Sequence, residues 1–292
     1  MNLFSARRSI AETLGAGIDN PTREADLILV RLLRISRAFL FGHPEKILTD
    51  NELRLIDEIV ARRLTGEPLQ YILGEADFWG MTFEVGVGAL IPRPDTEFLV
   101  EAALKRLPHD EPSLFLDWGT GSGCIAIALL AERPGARAVM AEKNPRSIEW
   151  AWRNLKRYGL HGRALLWHSR EPEDIPVKDG SLDLVVSNPP YIPTKDIAGL
   201  MREVRDHEPH MALDGGEDGM DFYRKLFNSV PALLKDGGAL IFEMGDAAQA
   251  QKARGIAPGP IILAEKIADF SENPRCMVWE RRVYKNGHPL ST

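Results

Sequence analysis

The chain has 292 residues, 44% of them hydrophobic and 27% charged, which is typical of a folded protein with one large domain or two unequal domains. Its net charge of −6 gives no sign of the basic face that proteins binding bare nucleic acid usually carry. The sequence lacks an apolar run of about 18 residues that would span a bilayer, and Cys124 and Cys276 form neither a disulfide framework nor a metal cluster, so we expect a cytoplasmic protein without a metal site.

The first 70 residues have the apolar spacing of helices. Apolar residues between positions 25 and 36 fall on one helical face, and the Gly-His-Pro sequence at 42–44 is expected to end that helix. Thr49 and Glu52 have the spacing of a capping box, which predicts the start of a second helix. We interpret the apolar stripes as a packed core, and we expect residues 1–74 to form a small helical domain.

A change of period follows the helices. Residues 76–87 alternate between the two faces of a strand, which predicts a short hairpin. Ile91-Pro92-Arg93-Pro94 is expected to be extended, because each proline disfavours the helical conformation of its predecessor. The sequence therefore predicts a hairpin and linker over residues 75–95, followed by a large domain over residues 96–292.

Strands and helices alternate from residue 113 onward. The predicted strands lie at 114–117, 138–142, 164–167, 182–187, 239–243, 261–267 and 277–282. This βαβα order implies an α/β fold, a Rossmann-like doubly wound and mostly parallel sheet of seven strands with helices on both faces.

A glycine-rich turn follows the first of these strands, where doubly wound sheets bind nucleotides. Its glycines allow a sharp turn and the close approach of a ligand. Glu142 ends the next strand, where a carboxylate can accept hydrogen bonds from both ribose hydroxyls. Asp117 would repel a pyrophosphate but would attract the cationic methionine moiety of S-adenosylmethionine, so we predict that cofactor. The predicted cofactor-binding residues are Asp117, Gly119, Thr120, Gly121, Ser122, Gly123, Glu142 and Asn188.

The sequence Asn188-Pro189-Pro190-Tyr191 follows the fourth strand, and it therefore opens on the same edge of the sheet. The two prolines fix an extended backbone with free carbonyls, and the Asn188 side chain adds another acceptor. These groups can hold both N–H bonds of a planar NH2 in line with a methyl donor, with Tyr191 as an aromatic wall. We predict that all four residues bind the acceptor and are catalytic. The loop alone does not distinguish an amide from the exocyclic amine of a nucleic-acid base.

Several segments of the chain share one further pattern. They are residues 67–74, 78–83, 90–97, 117–123, 188–191, 208–209 and 212–219. Together they resemble the protein-(glutamine-N5) methyltransferases that modify peptide chain release factors. The tetrapeptide at 188–191 is shared with adenine-N6 and guanine-N2 methyltransferases, whereas the segment Ile91 to Glu97 combined with a helical N-terminal domain is more specific.

This resemblance implies a class I methyltransferase fold. It implies that Gly119 to Gly123 and Glu142 bind S-adenosylmethionine, and that Asn188 to Tyr191 hold the acceptor glutamine. It also implies that the helical domain helps dock a release factor near its Gly-Gly-Gln loop. Two departures are Glu142, where an aspartate is common, and the segment Trp167 to Arg170, where an acidic or aromatic residue often contacts adenine.

Other functions are weighed against this one. Residues 1–85 hold 10 Lys and Arg and 13 Asp and Glu, which does not favour a phosphate-binding module, although methylation of a nucleic-acid base stays an alternative. A ribosomal-protein glutamine is another possible acceptor. The spacing of the glycines argues against a nicotinamide-linked oxidoreductase, and the intact motifs argue against an inactive binding module. We expect a monomer without direct nucleic-acid or membrane binding.

Three further features receive sequence-based interpretations. Arg93 either steers the substrate or pairs with Glu97. His168 and His210 are interpreted as surface or core histidines rather than bases. The segment from Asp214 to Gly219 is interpreted as a turn and helix cap.

Overall fold

A computed structural model describes residues 1–269, 271–282, 284–285 and 288–289. The remaining positions of the predicted 96–292 domain lie outside the described residues. Contacts divide the chain into two units: residues 1–75 with 201–207, and residues 76–200 with 208–292. The packing of the segment 201–207 with the first unit is not predicted from the sequence.

The elements follow the predicted order of helices first and alternating strands and helices later. The helices are α1 (Leu3–Leu14), α2 (Pro21–Leu33), α3 (Arg37–Gly42), α4 (Asp50–Leu64), α5 (Leu69–Leu73), α6 (Glu97–Leu104), α7 (Cys124–Glu132), α8 (Pro145–Arg157), α9 (Arg202–His207), α10 (Asp221–Leu233) and α11 (Ala247–Ile256). The strands are β1 (Glu75–Phe78), β2 (Met81–Glu84), β3 (Ser113–Trp118), β4 (Ala136–Glu142), β5 (Ala164–His168), β6 (Leu182–Ser187), β7 (Leu234–Glu243), β8 (Ile261–Ala268), β9 (Pro274–Arg281), β10 (Tyr284–Lys285) and β11 (His288–Pro289).

The first unit is a helical cluster around an apolar core. Its buried residues come from α1 to α5 and their connections, and they are Leu3, Ala6, Ile10, Leu14, Ala25, Ile28, Leu29, Leu40, Leu48, Ile56, Val60 and Leu69. The capping box predicted for α4 is confirmed. The Glu52 amide donates to Thr49 Oγ1 at 3.2 Å, and the Thr49 amide donates to the Glu52 carboxylate at 2.7 Å.

The prediction of one continuous helix that ends at Gly42 is wrong, because two helices, α2 and α3, occupy this stretch. Arg34 has a φ of 52°, and a residue in the left-handed region cannot continue a right-handed helix. Ser36 then begins α3 by accepting a hydrogen bond from the Phe39 amide at 3.0 Å. The apolar face continues across the break, which is why the spacing of residues alone does not reveal it.

A buried arginine connects α9 to the rest of the first unit. The Arg63 side chain is only 7% exposed, and its guanidinium lies 2.9 Å from Glu24 and 2.6 Å from Glu203. The same guanidinium donates to the backbone carbonyl of Glu67 at 3.2 Å. Because a buried guanidinium needs acceptors around it, these contacts hold the segment 201–207 in the first unit.

The second unit contains, within the described residues, a seven-stranded sheet in the order β5-β4-β3-β6-β7-β9-β8. Strands β3 to β7 are paired in parallel, and β9 is antiparallel to both of its neighbours. The prediction of a mostly parallel, doubly wound sheet is therefore confirmed. Between β3 and β6 the chain changes the direction in which it adds strands, and α/β sheets bind ligands at such a switch point.

The predicted hairpin forms from β1 and β2. Its turn residues Trp79 and Gly80 have φ values of 53° and 66°, the positive pair that a tight two-residue hairpin requires. The Trp79 amide donates to Glu97 at 2.8 Å, and its indole N–H donates to Glu132 at 3.1 Å. These two hydrogen bonds hold the tip of the hairpin against α6 and α7.

Over the part of the chain that the structure describes, no helix is long and apolar enough to cross a membrane. In the same residues, no three His, Cys, Asp or Glu side chains are grouped so that they could hold a metal ion. Cys124 and Cys276 are free and buried.

Candidate active site

A cavity of about 600 Å³ opens at the carboxyl ends of β3, β4 and β6 in the second unit. Its walls include residues 118–122, 141–144, 188 and 190, together with residues 90–93 and 209–212. The volume lies within the range of about 300–1,000 Å³ that is usual for small-molecule sites. The cavity therefore brings the predicted glycine loop and acceptor loop to one place.

The glycine loop after β3 is shaped for the close approach of a ligand. Gly119 and Gly121 have φ values of 80° and 58°, and a Cβ on either would meet no atom within 4 Å. The amides of Gly119 and Thr120 donate to the Ala141 carbonyl at 2.8 and 3.1 Å, which ties the loop to the end of β4. Gly123, in contrast, does not line the cavity, and a Cβ on it would lie 2.9 Å from the Met140 side chain. Its small size serves the packing of α7 rather than ligand contact.

Asp117 lies beneath the loop and does not line the cavity. Its Oδ2 accepts hydrogen bonds from Thr120 Oγ1 at 2.5 Å and from the Ala126 amide at 3.2 Å. Its Oδ1 is buried without a hydrogen-bond partner. Burial raises the pKa of this carboxyl to about 7, since the charged form is deprived of water.

Glu142 lines the cavity and also holds its own loop in place. Its carboxylate accepts hydrogen bonds from the amides of Gly121 at 2.8 Å, Lys143 at 2.9 Å and Asn144 at 2.8 Å. Burial raises the pKa of Glu142, and these three donors act in the opposite direction. The carboxylate is therefore fixed at the end of β4 before any ligand binds.

The acceptor loop begins where β6 ends. Asn188 and Pro190 line the cavity, whereas Pro189 and Tyr191 do not. The Ser187 hydroxyl donates to the Trp118 carbonyl at 2.6 Å and so joins this loop to the end of β3. Asn188 Nδ2 donates to Thr96 Oγ1 at 3.0 Å. The side-chain nitrogen of Asn188 therefore faces Thr96, and the side-chain oxygen Oδ1 is turned away from Thr96.

Tyr191 does not line the cavity, and its contacts are with Glu243 and Gln249. Its hydroxyl lies 3.4 Å from Glu243 Oε1, and its carbonyl accepts a hydrogen bond from Gln249 Nε2 at 2.6 Å. Burial raises the pKa of the Tyr191 phenol, and nearby Glu243 raises it further. The expectation that Tyr191 forms an aromatic wall finds no support in this position, and its contacts instead fix the end of the loop.

Residues 213–216 support the acceptor loop along its backbone. The Ile192 amide donates to the Leu213 carbonyl at 3.0 Å, and the Gly215 amide donates to the Ile192 carbonyl at 2.8 Å. The Asp214 to Gly219 segment was interpreted from sequence as a turn and helix cap. It is also the support of the acceptor loop, and Asp214 lines the cavity.

Arg93 pairs with Glu208, a partner that is not predicted for it from the sequence. Its guanidinium contacts the carboxylate of Glu208, and Glu208 also accepts a hydrogen bond from the Ile91 amide at 3.1 Å. The alternative that paired Arg93 with Glu97 is wrong, because the Arg93 guanidinium pairs with Glu208, and the Glu97 carboxylate accepts a hydrogen bond from the Trp79 amide. The buried Glu208 carboxylate thus orders the segment 90–93 at the cavity wall.

Only part of the segment Trp167 to Arg170, at the end of β5, lines the cavity. Ser169 and Arg170 line the cavity, but Trp167 is 38% exposed and donates through its indole N–H to the Asp174 carbonyl at 2.7 Å. The aromatic side chains that line the cavity are Trp118 and Phe222, whose rings lie 5.4 Å apart in an edge-to-face arrangement. Neither residue is predicted as a site residue: Trp118 lies within the glycine-loop motif without an assigned role, and Phe222 belongs to no recognisable motif.

The residues of the glycine loop fit a ligand that carries positive charge and a ribose. Asp117 Oδ1, beneath the loop, and Ser122 Oγ, within it, are buried without hydrogen-bond partners. The space in front of Gly119 and Gly121 is open. The carboxylate of Glu142 faces the same cavity. This donor and acceptor set suits S-adenosylmethionine better than a pyrophosphate, which would be repelled by the two carboxylates.

Comparison with known proteins agrees with this geometry. The family model of the PrmC N-terminal domain matches residues 5–74, and that of the methyltransferase small domain matches residues 95–207. The release factor glutamine methyltransferase of Geobacter sulfurreducens is 45% identical over 229 residues, which cover 78% of this chain and 78% of the relative. That of Rhodospirillum rubrum is 40% identical over 272 residues, 92% of this chain and 81% of the relative.

The chain belongs to the release factor glutamine methyltransferase family. The family membership confirms the predicted resemblance, the class I methyltransferase fold and the enzyme class. S-adenosylmethionine is the methyl donor, as predicted. A solved methyltransferase from Pyrococcus furiosus has the same fold, with a TM-score of 0.51 and 17% identity over 75% of this chain and 96% of that chain.

Proposed function

We propose that the chain transfers a methyl group from S-adenosylmethionine to the side-chain amide nitrogen of a glutamine in peptide chain release factors, at the Gly-Gly-Gln loop. The observation that carries this proposal is the fixed orientation of Asn188. Because Nδ2 donates to Thr96, Asn188 Oδ1 is left as an acceptor at the cavity beside Pro190. A planar NH2 needs such an acceptor on each of its N–H bonds.

The residues of the chain perform the reaction mainly by positioning. When bound, S-adenosylmethionine supplies a methyl group on a positively charged sulfur. Asn188 Oδ1 and a loop carbonyl accept hydrogen bonds from the two N–H groups of the glutamine, which fixes the plane of the amide and so the direction of the nitrogen lone pair perpendicular to it. These acceptors become stronger partners as positive charge develops on the nitrogen, which is the condition for lowering the barrier. After transfer the methylated nitrogen is cationic and strongly acidic, so one of the two held protons passes to water and a strong base is not required.

The predicted site residues have distinct places in this proposal. Gly119, Thr120, Gly121 and Ser122 with Glu142 form the cofactor side of the cavity, while Asp117 and Gly123 act from below by holding the loop. Asn188 and Pro190 face the acceptor. Pro189 and Tyr191 keep the loop extended and anchored.

We also propose how the parts of the chain divide the work. Residues 1–74 would dock the release factor, residues 75–95 would connect, and residues 96–292 would carry catalysis. The enzyme would act in the cytoplasm as a monomer, without binding nucleic acid or membrane. Support comes from the acidic balance of residues 1–85 and from the names of the relatives, which refer to release factors.

Two other acceptors remain as alternatives to this proposal. A ribosomal-protein glutamine offers the same amide group. The exocyclic amine of a nucleic-acid base offers the same planar NH2, and Asn188 would hold it through the same contacts. The excess of acidic over basic residues in the first 85 positions favours a protein substrate over a nucleic acid.

A labelling experiment separates these acceptors. The purified enzyme and S-adenosylmethionine labelled in its methyl group are added to a lysate from cells that lack this activity. We expect label in release-factor protein, in the peptide that contains the Gly-Gly-Gln sequence. Label in RNA or DNA, or in a ribosomal protein alone, would contradict the proposal. The variant Asn188→Ala, incubated in parallel, controls for label transferred by other enzymes in the lysate.

A further inference from the structure

Two buried side chains far from the acceptor loop in sequence connect to it in space. Thr96 is 2% exposed and Glu243 is 3% exposed. Thr96 Oγ1 donates to Glu243 Oε2 at 2.6 Å and accepts from Asn188 Nδ2 at 3.0 Å. The other carboxylate oxygen of Glu243 lies 3.4 Å from the Tyr191 hydroxyl. One carboxylate therefore contacts both ends of the acceptor loop, directly at Tyr191 and through Thr96 at Asn188.

The hydrogen bonds in this connection have a defined direction. A threonine hydroxyl has a single hydrogen, and an ionised carboxylate only accepts. The hydrogen of Thr96 must therefore point to Glu243, and the Thr96 oxygen is left to accept from Asn188. It follows that the nitrogen of the Asn188 amide faces Thr96, while Oδ1 is turned away from it.

We propose that Thr96 and Glu243 are positioning residues that hold the Asn188 amide in the orientation needed to accept an N–H bond of the substrate. The proposal rests on the acceptor role of Asn188 given above. Neither residue is required to touch the substrate. A flipped Asn188 amide would present its NH2 to the substrate NH2, and two donors facing each other would weaken binding and alignment.

The protonation of Glu243 controls this orientation. When Glu243 carries a proton, its hydroxyl can donate to Thr96, and Thr96 can donate in turn to Asn188 Oδ1. The flipped amide then becomes possible. Burial raises the pKa of Glu243 to about 7. We therefore expect methyl transfer to increase as the pH rises through about 7, because ionised Glu243 enforces the productive orientation.

Other charged and titratable groups around Glu243 act on the same equilibrium. Asp95 raises the pKa of Glu243 and Arg275 lowers it, and these two residues form an ion pair at 2.9 Å. The remaining groups that interact with Glu243 are Tyr191, Tyr223, Cys124 and Cys276. The pKa of each of these four is raised, so they stay neutral while Glu243 titrates. The pH dependence of the Asn188 orientation is therefore assigned to Glu243, whereas Asp117, whose pKa is also raised to about 7, titrates beneath the glycine loop.

Variants at Thr96 test the positioning role with a matched control. Thr96→Val keeps the shape of the side chain and removes the hydroxyl, whereas Thr96→Ser keeps the hydroxyl. With a purified release factor as substrate, we expect Thr96→Val to lower kcat roughly 10- to 100-fold, the loss that a misplaced group causes. Thr96→Ser should restore most of the activity, and both variants should bind S-adenosylmethionine with unchanged Kd. Wild-type kcat in Thr96→Val would overturn the proposal.

The variant Glu243→Gln tests the role of ionisation and replaces Thr96→Val should the latter fail to fold. Its side-chain amide can donate to Thr96, so the direction of the hydrogen bonds is no longer enforced. We expect a lower kcat with unchanged cofactor Kd, and the loss of the increase in kcat through about pH 7 that the wild type shows. A purely structural role would lower thermal stability and leave the shape of the pH profile unchanged, and that result would contradict the proposal.

A spectroscopic measurement decides the matter without any substrate. The enzyme is labelled with ¹⁵N-asparagine, and the Asn188 side-chain amide signals are identified by their absence in Asn188→Ala. We expect them to move between about pH 6 and pH 8 in the wild type and to stay fixed in Glu243→Gln. Fixed signals in the wild type would overturn the positioning role. Failure of the wild type to methylate a release factor would instead contradict the proposed function alone.

Discussion

A Cβ atom placed on Gly215 would lie 2.8 Å from the Cα of Tyr191 and 2.9 Å from the carbonyl oxygen of Pro190. Both neighbours are backbone atoms of the acceptor loop, and neither can move without moving the loop. Gly215 is buried, and its amide donates to the Ile192 carbonyl immediately after the loop. The absence of a side chain at Gly215 is therefore a condition for the position of the acceptor loop.

The variant Gly215→Ala should displace this loop. We expect a fall in kcat of roughly 100-fold, since a shift of about 1 Å at a reacting group has this effect. The Kd of S-adenosylmethionine should change little, because Gly215 is not among the residues that line the cavity. Steady-state kinetics and calorimetric titration measure the two quantities.

Gly199→Ala provides the matched control, as a Cβ on Gly199 would meet no atom within 4 Å. It should keep wild-type kinetics. Equal activity of Gly215→Ala and Gly199→Ala would show that the acceptor loop tolerates the extra methyl group, and that the close approach has no functional consequence.

Removal of the Asn188 side chain should separate binding from chemistry. Asn188→Ala deletes the acceptor on the substrate side and leaves the glycine loop and Glu142 intact. We expect nearly unchanged cofactor affinity and a loss of kcat of about 10²- to 10³-fold, the effect of removing one preorganised hydrogen-bonding group. Unchanged turnover would exclude the role assigned to Asn188.

The parts of the site that could be predicted from sequence are those set by local chain geometry. The glycine loop and the acceptor loop each follow a buried strand directly, and parallel strands end at one edge of the sheet. Asn188 and Glu142 were therefore expected near each other. Thr96 and Glu243 were not, because Thr96 lies 92 residues from Asn188 and 147 residues from Glu243 in the sequence. Contacts between distant positions leave no periodic or turn signal in a single sequence.

The first unit should depend strongly on its buried arginine. Arg63→Met removes the partner of Glu24 and Glu203 and leaves two partly buried carboxylates unpaired. We expect a loss of about 2–3 kcal/mol in the stability of this unit. Hydrogen exchange of amides in α2 and α4 measures the change.

Arg54→Met controls for the loss of an arginine in the same helix. Arg54 is 61% exposed and pairs with an exposed Glu58, so its replacement should cost less than about 0.5 kcal/mol. Similar protection of these amides from hydrogen exchange in the two variants would contradict the proposed contribution of Arg63 to the stability of the first unit.

Stability without ligand should fall as the pH rises toward about 7. The pKa of Asp117 is raised from 3.8 to about 7, so the folded chain binds this proton more tightly than the unfolded chain does. Unfolding then releases a proton in this interval, and the free energy of unfolding decreases by up to about 1.4 kcal/mol per pH unit for one such group. The loss is complete above the folded-state pKa.

Urea denaturation of Asp117→Asn and of the wild type across this interval tests the assignment. The variant should show a weaker pH dependence, whereas Asp179→Asn, which replaces an exposed carboxylate, should follow the wild type. Parallel pH dependences of Asp117→Asn and the wild type would show that Asp117 is not the group responsible.

As in the site, the parts of the fold that could be predicted are those that local sequence patterns determine. Every predicted strand overlaps an observed one, and the central parallel strands β3, β4 and β6 are recognisable because buried parallel strands are largely apolar runs. The break at Arg34 was missed, since the residue that adopts the left-handed conformation there is not a glycine. The attachment of α9 to the first unit was missed for another reason. It depends on the pairing of Arg63 with Glu203, which are 140 positions apart in the sequence.

That attachment has a consequence for biosynthesis. A nascent chain emerges from its amino end, and domains generally fold as units as soon as they are complete. The segment 201–207 belongs to the first unit. More than a hundred residues must therefore be synthesised after residue 75 before Glu203 can pair with Arg63. During translation the first unit can therefore be completed only after strands β3 to β6 of the second unit have been synthesised.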